Sequence, residues 1–300
     1  MKKIYIAGCA GMLGEAFYKR FKQNYDLKCT DKNVNEDWVS FLDFRDFEEY
    51  RRDVKDFNPD YLFHLGAHTD LEYCEKNPDD AYITNTLSLE NAVDIANELK
   101  IPILYISSAG IFDGKKELYN EWDTPNPLGV YAQSKYLGEK IVLENAQRGL
   151  ICRAGWMIGG GQRKDKKYIQ KIMKQLKDGA KELFVVKDKG GIPTYTHDFA
   201  ANVNLLIDHE KLGLYNMACH GEITDNRLEV TKELIKILKL EDKVKITPVD
   251  SDYFKEYFAK RPSAERLDNL KLRLRGLDIM RDWKVALKEY IENYYKNYLE

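Results

Sequence analysis

Three glycines spaced three apart, Gly8, Gly11 and Gly14, follow directly on the apolar run Ile4-Tyr5-Ile6-Ala7 and lead into Glu15-Ala16-Phe17-Tyr18-Lys19-Arg20-Phe21. A strand that passes through such a turn into a helix constrains this chain more than any other feature. The glycines permit a tight turn, let a pyrophosphate approach the backbone and let the helix pack close to the strand. The helix start then offers free N–H groups and a partial positive charge to phosphate. Ordinary strand–turn–helix corners use glycine too, so the context decides. Asp31 lies 17 positions beyond Gly14 and closes a second apolar run, Leu27-Lys28-Cys29-Thr30, where a carboxylate meets adenosine ribose hydroxyls. The constellation predicts dinucleotide binding, with Gly8, Gly11, Met12, Leu13 and Gly14 around the pyrophosphate and Asp31 on the ribose. Asp31 would repel a 2′-phosphate, which favours NAD(H); Lys32 beside it keeps NADP(H) compatible.

Strand-like runs at 3–7, 26–30, 60–66, 102–108 and 150–154 alternate with helical patterns at 12–23, 45–57, 79–99 and 131–147. The strands read as continuous apolar runs, as expected when helices cover both sheet faces. The fold class expected is therefore α/β: a doubly wound, parallel, Rossmann-like sheet with a small C-terminal α/β substrate lobe. Residues 1–154 are expected to bind the dinucleotide, and 155–300 to form mainly the substrate lobe, partly interleaved with the sheet. The second half carries a break at Gly159-Gly160-Gly161, a basic amphipathic helix near 165–178 and a strand at 183–186. Helices are expected near 198–207, 227–239 and 282–298. The basic run Arg163-Lys164-Asp165-Lys166-Lys167 reads as a solvated helix start, with contact to a nucleotide diphosphate as the alternative.

The 47 basic and 49 acidic residues nearly cancel, which removes the electrostatic case for nucleic acid or an anionic membrane as partner. The five cysteines are odd in number and scattered, without metal-ligand spacing, and predict reduced thiols in a cytoplasmic protein. Met1-Lys2-Lys3 before Ile-Tyr-Ile-Ala-Gly-Cys mimics a lipoprotein signal, but its apolar part falls short of the roughly 7–15 residues of an export signal. No stretch approaches the ~20 apolar residues of a membrane span. The histidines show no metal spacing either, and no metal site is expected.

Ligands of a doubly wound sheet bind beyond the carboxyl ends of its strands. One strand ends in Leu65-Gly66-Ala67-His68-Thr69, whose small residues would let a cofactor lie across the sheet edge or would merely pack closely. Another ends in Ser107-Ser108, where a hydroxyl would bond a substrate oxygen or cap the turn. The pattern Tyr-x-x-x-Lys occurs three times, at Tyr18/Lys22, Tyr131/Lys135 and Tyr136/Lys140. Spacing alone therefore proves nothing, although positions i and i+4 share a helix face. Placement favours Tyr131/Lys135, at the start of the helix that follows the serine strand. An ammonium beside the phenol is expected to lower its pKa toward the range of a general acid/base.

Taken together, these segments resemble the extended short-chain dehydrogenases, and within them the dTDP-4-dehydrorhamnose reductase branch. The likeness runs through Gly8/Gly11/Gly14, Gly66-Ala67-His68-Thr69, Asn126-Pro127-Leu128-Gly129-Val130-Tyr131 with Ser134-Lys135, Arg153-x-x-Trp156, Gly191-Ile192-Pro193-Thr194-Tyr195, Arg261-Pro262 and Asp282-Trp283. The resemblance implies hydride transfer from a nicotinamide to a keto carbon of a nucleotide-activated deoxysugar. Tyr131 would protonate the carbonyl oxygen, Lys135 would hold the nicotinamide ribose and Ser108 would polarise the same oxygen. Asp43 and Phe44 would border the adenine, and Gly66, Ala67, His68 and Thr69 the pyrophosphate and ribose. Ser108, Ala109, Trp156, Lys167 and Pro193 would meet the nucleotide-sugar substrate.

The chain also departs from the branch. Ser107-Ser108-Ala109-Gly110-Ile111-Phe112 stands where Ser-Thr-Asp-Tyr-Val-Phe is usual, Lys166-Lys167-Tyr168 replaces Asn-Asn-Phe, and Glu265 replaces a serine. Ser107-Ser108-Ala109 resembles sugar-nucleotide 4-epimerases, which keeps an NAD-dependent epimerase as an alternative. A non-catalytic regulatory subunit, such as that of methionine adenosyltransferase in the same branch, is another. Ala16 and His197 stand where magnesium-bridged dimers carry acidic residues, so a homodimer is compatible but not one bridged by magnesium.

Overall fold

A computed structural model describes residues 1–299. β1 (Lys2–Ala7) leads into α1 (Met12–Phe21), β2 (Tyr25–Asp31), the short β3 (Ser40–Phe41), α2 (Phe47–Phe57), β4 (Tyr61–His64), α3 (Leu71–Lys76) and α4 (Pro78–Tyr82). A π-helical turn over Ile83–Leu87 joins α4 to α5 (Ser88–Leu99). Then come β5 (Ile103–Ser108), a 3-10 turn over Ala109–Ile111, α6 (Val130–Asn145) and β6 (Gly149–Ala154). The rest comprises β7 (Trp156–Ile158), α7 (Gly161–Lys164), α8 (Tyr168–Lys177), β8 (Glu182–Val186), β9 (Pro193–Tyr195), α9 (Thr196–Asp208), β10 (Gly213–Met217), α10 (Arg227–Ile237), β11 (Lys245–Val249), α11 (Leu270–Leu274) and α12 (Trp283–Tyr294).

Seven parallel strands form the central sheet in the order β10-β6-β5-β4-β1-β2-β3. The doubly wound sheet expected from the strand–helix alternation is present. Side chains alternate across it. Ile4 and Ile6 join the core formed with Phe17 of α1 and Phe199 and Val203 of α9. Tyr5 and Ala7 face the other way, toward Tyr50 of α2 and Ala92 and Ile95 of α5. Both faces are dry, so the strands read as unbroken apolar runs. The strand order reverses between β1 and β4, which sets the crevice at their carboxyl ends.

Past β6 the chain builds two small parallel pairs, β7–β9 and β8–β11, and returns once to the main sheet as its edge strand β10. β3, β7, β9, β10, β11 and α11 go beyond the sequence reading. The helix expected over 79–99 is divided into α4, the π turn and α5, and the one near 165–178 is α8, with the short α7 set apart before it by a second break. Asp165 makes the second break: its Oδ1 accepts the Lys167 N–H at 2.7 Å, and Oδ2 accepts the Tyr290 hydroxyl at 2.8 Å. The basic run is solvated only in part, at the exposed Arg163 and Lys166. Lys164 is buried against Glu15 (3.2 Å) and Glu36 (3.0 Å), and Asp165 is buried as well.

Candidate active site

The crevice is built from backbone outward. Gly8 has φ +83°, and a Cβ there would lie 2.3 Å from the Gly66 nitrogen, so β1 and β4 touch through two glycine backbones. A Cβ on Gly14 would lie 2.2 Å from the Cys9 carbonyl oxygen; that glycine lets α1 approach the turn. Gly11 differs. It is exposed, its Cβ would meet nothing within 4 Å, and as N-cap of α1 it brings no side chain to the helix N–H groups. Open space over an uncapped helix start is what a pyrophosphate requires, so the residues present fit a dinucleotide. Met12 is half-buried, whereas the Leu13 side chain points into the core and only its N–H is available to a ligand.

Asp31 ends β2, and its carboxylate accepts the Ala10 N–H at 3.0 Å and the Asn33 N–H at 2.8 Å. Asp43 is held by the Arg45 guanidinium (Nε–Oδ1 2.9 Å), which keeps its carboxyl below the usual carboxylate range. Arg45 continues to Asp80 at 3.2 Å, and Asp80 meets His68 Nε2 at 2.7 Å. The Phe44 ring covers Gly66, where a Cβ would lie 2.1 Å from the ring. Ala67, His68 and Thr69 follow Gly66 along the rim, and Lys167 Nζ crosses to the Thr69 carbonyl (2.9 Å) and hydroxyl (3.0 Å).

At the end of β5 the Ser108 Oγ accepts the Gly110 N–H at 3.1 Å, so the serine caps the following turn and keeps its own proton to donate. It faces the Tyr131 phenol and favours the ionised form there. Tyr131 is the second residue of α6. Glu75 of α3 starts that helix, its Oε1 accepting the Val130 N–H at 2.8 Å. Burial pushes the Tyr131 phenol up to about 12, with further upward pushes from Cys74 and Glu265. Lys135 lies one turn on, its Nζ 4.3 Å from the centre of the Tyr105 ring. Burial brings its ammonium down to about 7. The phenol therefore lies above the ordinary tyrosine value and not below it as expected, because Ser108 offsets only part of the upward push of burial.

Asn85, in the π turn, was missed by sequence reading. Its Oδ1 accepts the His68 N–H at 2.7 Å, while Nδ2 donates to the His68 carbonyl and to Ser134 Oγ, both at 3.0 Å. Ser134 in turn donates to the Tyr131 carbonyl at 2.8 Å. One amide thus ties the β4 loop to the turn of α6 that carries Tyr131. Its only signal was a polar pair, Asn85-Thr86, inside an otherwise helical run. His64, also at the end of β4, lies between the Tyr50 hydroxyl and Ser88 Oγ, both at 3.2 Å. Burial and Lys135 lower it to about 3, so it is a neutral core histidine.

The other two tyrosine–lysine pairs lie elsewhere. Tyr136 packs on a cluster with Phe112 and Tyr119, and Tyr18 stacks on Trp38 at 4.1 Å. Trp156 heads β7 opposite Pro193 of β9. Its Nε1 donates to Glu265 Oε2 at 2.6 Å, and the Arg227 guanidinium covers its ring at 4.6 Å. Pro193 is buried, and Ala109 packs its methyl into the Phe112 cluster, so their side chains shape the cleft from behind. Among the described residues no group of three or more His, Cys, Asp or Glu side chains is arranged to hold a metal, and no helix is long and apolar enough to cross a membrane.

A solved dTDP-4-dehydrorhamnose reductase from Bacillus anthracis in complex with NADP is 28% identical and superposes with a TM-score of 0.88, over 98% of this chain and all of that one. The spore coat polysaccharide biosynthesis protein SpsK of Bacillus subtilis is 27% identical, covering 97% of this chain and 98% of its own. Methionine adenosyltransferase 2 subunit beta of Xenopus tropicalis is 25% identical over 96% of this chain and 86% of its own. The family model described as RmlD substrate binding domain matches residues 1–296. With that match spanning the glycine turn, the serine strand and the tyrosine helix alike, the chain belongs to the RmlD family of extended short-chain dehydrogenase/reductases.

Proposed function

We propose that this chain reduces the keto group of a dTDP-activated 6-deoxyhexose, of the dTDP-4-dehydrorhamnose class, with a nicotinamide dinucleotide. One observation carries the reading: the Ser108 hydroxyl faces a phenol, Tyr131, held protonated at neutral pH at the carboxyl end of the sheet. Keto reduction needs a proton at the carbonyl oxygen, and a half-buried neutral phenol supplies one. The bound cofactor supplies the hydride. Ser108 orients the oxygen, Tyr131 gives the proton and Lys135 holds the nicotinamide ribose. Gly8, Gly11, Met12, Leu13 and Gly14 cradle the pyrophosphate. Asp31, Asp43, Phe44, Gly66, Ala67, His68 and Thr69 border the remainder of the cofactor, and Trp156 with Lys167 borders the nucleotide sugar.

Asp31 supports NADH, by repulsion of a 2′-phosphate. The NADP in the Bacillus anthracis relative supports NADPH. On this reading residues 1–154 form the cofactor half, and the later chain, apart from α9 and β10, forms the sugar lobe. The five buried, free cysteines support a reducing, cytoplasmic setting. The test is a panel of dTDP-4-keto sugars with NADH and NADPH, followed by loss of reduced-cofactor absorbance. Stoichiometric oxidation with one sugar supports the reductase. Inversion of the sugar without net oxidation would establish an epimerase instead, and absence of turnover with tight cofactor binding would establish a regulatory protein.

A further inference from the structure

Glu265 brings a carboxylate to the reacting end of the cleft, and among the described residues it makes no ion pair. The segment that carries it is fixed from behind: the Glu265 N–H donates to the Gly190 carbonyl at 2.9 Å, and the Gly190 N–H to the Ser263 carbonyl at 2.7 Å. Oε2 is occupied by the Trp156 indole at 2.6 Å. Oε1 accepts no hydrogen bond, and Glu265 makes no ion pair, among the described residues. Arg227, on the face of the same indole, is the nearby cation, but it lies beyond ion-pair distance.

Gly110 brings no side chain to the place where Oε1 comes near Ser108. A Cβ built on Gly110 would lie 3.2 Å from Glu265 Oε1 and 3.4 Å from Ser108 Oγ. The free carboxylate oxygen and the serine hydroxyl therefore border one small volume. A sugar whose carbonyl oxygen meets Ser108 and Tyr131 brings the substituent of the adjacent ring carbon into that volume. A carboxylate is an acceptor only, and it loses water when the site fills.

We propose that Glu265 is a specificity-determining residue: Oε1 accepts a hydrogen bond from a hydroxyl on the ring carbon next to the keto carbon, so the enzyme selects 3-hydroxy sugars over 3-deoxy ones. This rests on the nucleotide-sugar reading above. A site built to bond a hydroxyl rejects the analogue that lacks it, because the buried acceptor is then left bare. The same carboxylate also raises the Tyr131 pKa and so helps keep its proton in place.

The experiment compares kcat/KM for dTDP-4-dehydrorhamnose and its 3-deoxy analogue in wild type, Glu265→Ala and Glu265→Gln. Wild type is expected to prefer the hydroxylated sugar by at least about thirtyfold, as loss of a hydrogen bond to a charged group implies. Glu265→Ala should bring the preference within about threefold, chiefly by losing activity on the hydroxylated sugar. Glu265→Gln keeps shape and the indole contact but not the charge, and should fall between the two. Cofactor affinity and melting temperature identify any variant that fails to fold, in which case the isosteric glutamine decides. An unchanged preference in a folded variant that still turns over overturns the role of Glu265 alone. Failure of dTDP, measured by calorimetry, to bind wild type overturns the nucleotide-sugar reading and this inference with it.

Discussion

At the scale of single residues, the chemistry depends on which groups hold protons near neutral pH. The Tyr131 phenol, pushed up to about 12, is protonated there and is set to act as an acid. Tyr131→Phe should lower kcat by about a hundredfold to ten-thousandfold, the usual worth of a positioned acid, and leave cofactor Kd within about twofold. Retained turnover in steady-state assays would mean that another group supplies the proton. Lys135 gives a second prediction. Its folded value, about 7, is far below that of an ordinary lysine because burial disfavours the ammonium. Below pH 7 the free and unfolded proteins both carry the charge, and the penalty is present in full. As pH rises from about 7 toward the ordinary lysine range, only the unfolded chain keeps the proton, so the free protein gains stability. A ribose that accepts hydrogen bonds from the ammonium reverses the preference. NADH should therefore take up a proton on binding, and its Kd should rise by up to about tenfold per pH unit above 7. Titration from pH 6 to 9 checks this, and Lys135→Met should flatten the profile.

At the scale of elements, α6 is the part that must stay still, because it carries both Tyr131 and Lys135. One turn beyond Lys135, on the same side of the helix, it is pinned to β6 by a fully enclosed pair: Arg153 Nε and a terminal guanidinium nitrogen each donate to Glu139 at 2.8 Å. Neither side chain is more than 4% exposed. Removing one partner strands the other charge, so Arg153→Met should cost about 3–5 kcal/mol, read as a lower urea midpoint with unchanged slope. Replacing both partners with apolar residues should recover most of that loss. The same elements explain what the sequence made legible. Glycines with no room for a Cβ, and strands dry on both faces, leave an unambiguous signature. The π turn leaves none, since Ile83-Thr84-Asn85-Thr86-Leu87 has ordinary helical periodicity until the His68 backbone claims Asn85. β10 was equally hidden: it is short, and its partner β6 lies far back in the chain. The placement of Tyr131 and Lys135 on the helix after the serine strand was legible, because α6 follows β5 as the alternation of runs required.

At the scale of the whole molecule, the cofactor half and the later chain share an apolar core, and polar ties add to it at the cleft. Lys167 of the later chain donates to Thr69, and Arg261 pairs with Glu72 of α3 at 2.7 Å. Both ties stand where a nucleotide sugar would enter, between the β4 loop and the segment that leads to Glu265. Partly exposed pairs of this kind are worth about 1 kcal/mol or less to stability. They can nonetheless bias the cleft toward its closed form, and the binding energy of the substrate is then not spent on closing it. Glu72→Gln removes the charge from one tie and touches neither Ser108, Tyr131 nor Lys135. The melting temperature should move by a few degrees at most, and kcat at saturating sugar should stay within about twofold. KM for the nucleotide sugar should rise about threefold to fivefold, the equivalent of losing one such pair from the bound form. Raising ionic strength should produce the same rise in wild type and almost none in the variant, because salt screens a pair that the variant no longer has. A fall in kcat with KM unchanged would instead mean that Glu72 acts through α3 and Glu75 on the start of α6, and that the two halves need no tie to hold the sugar.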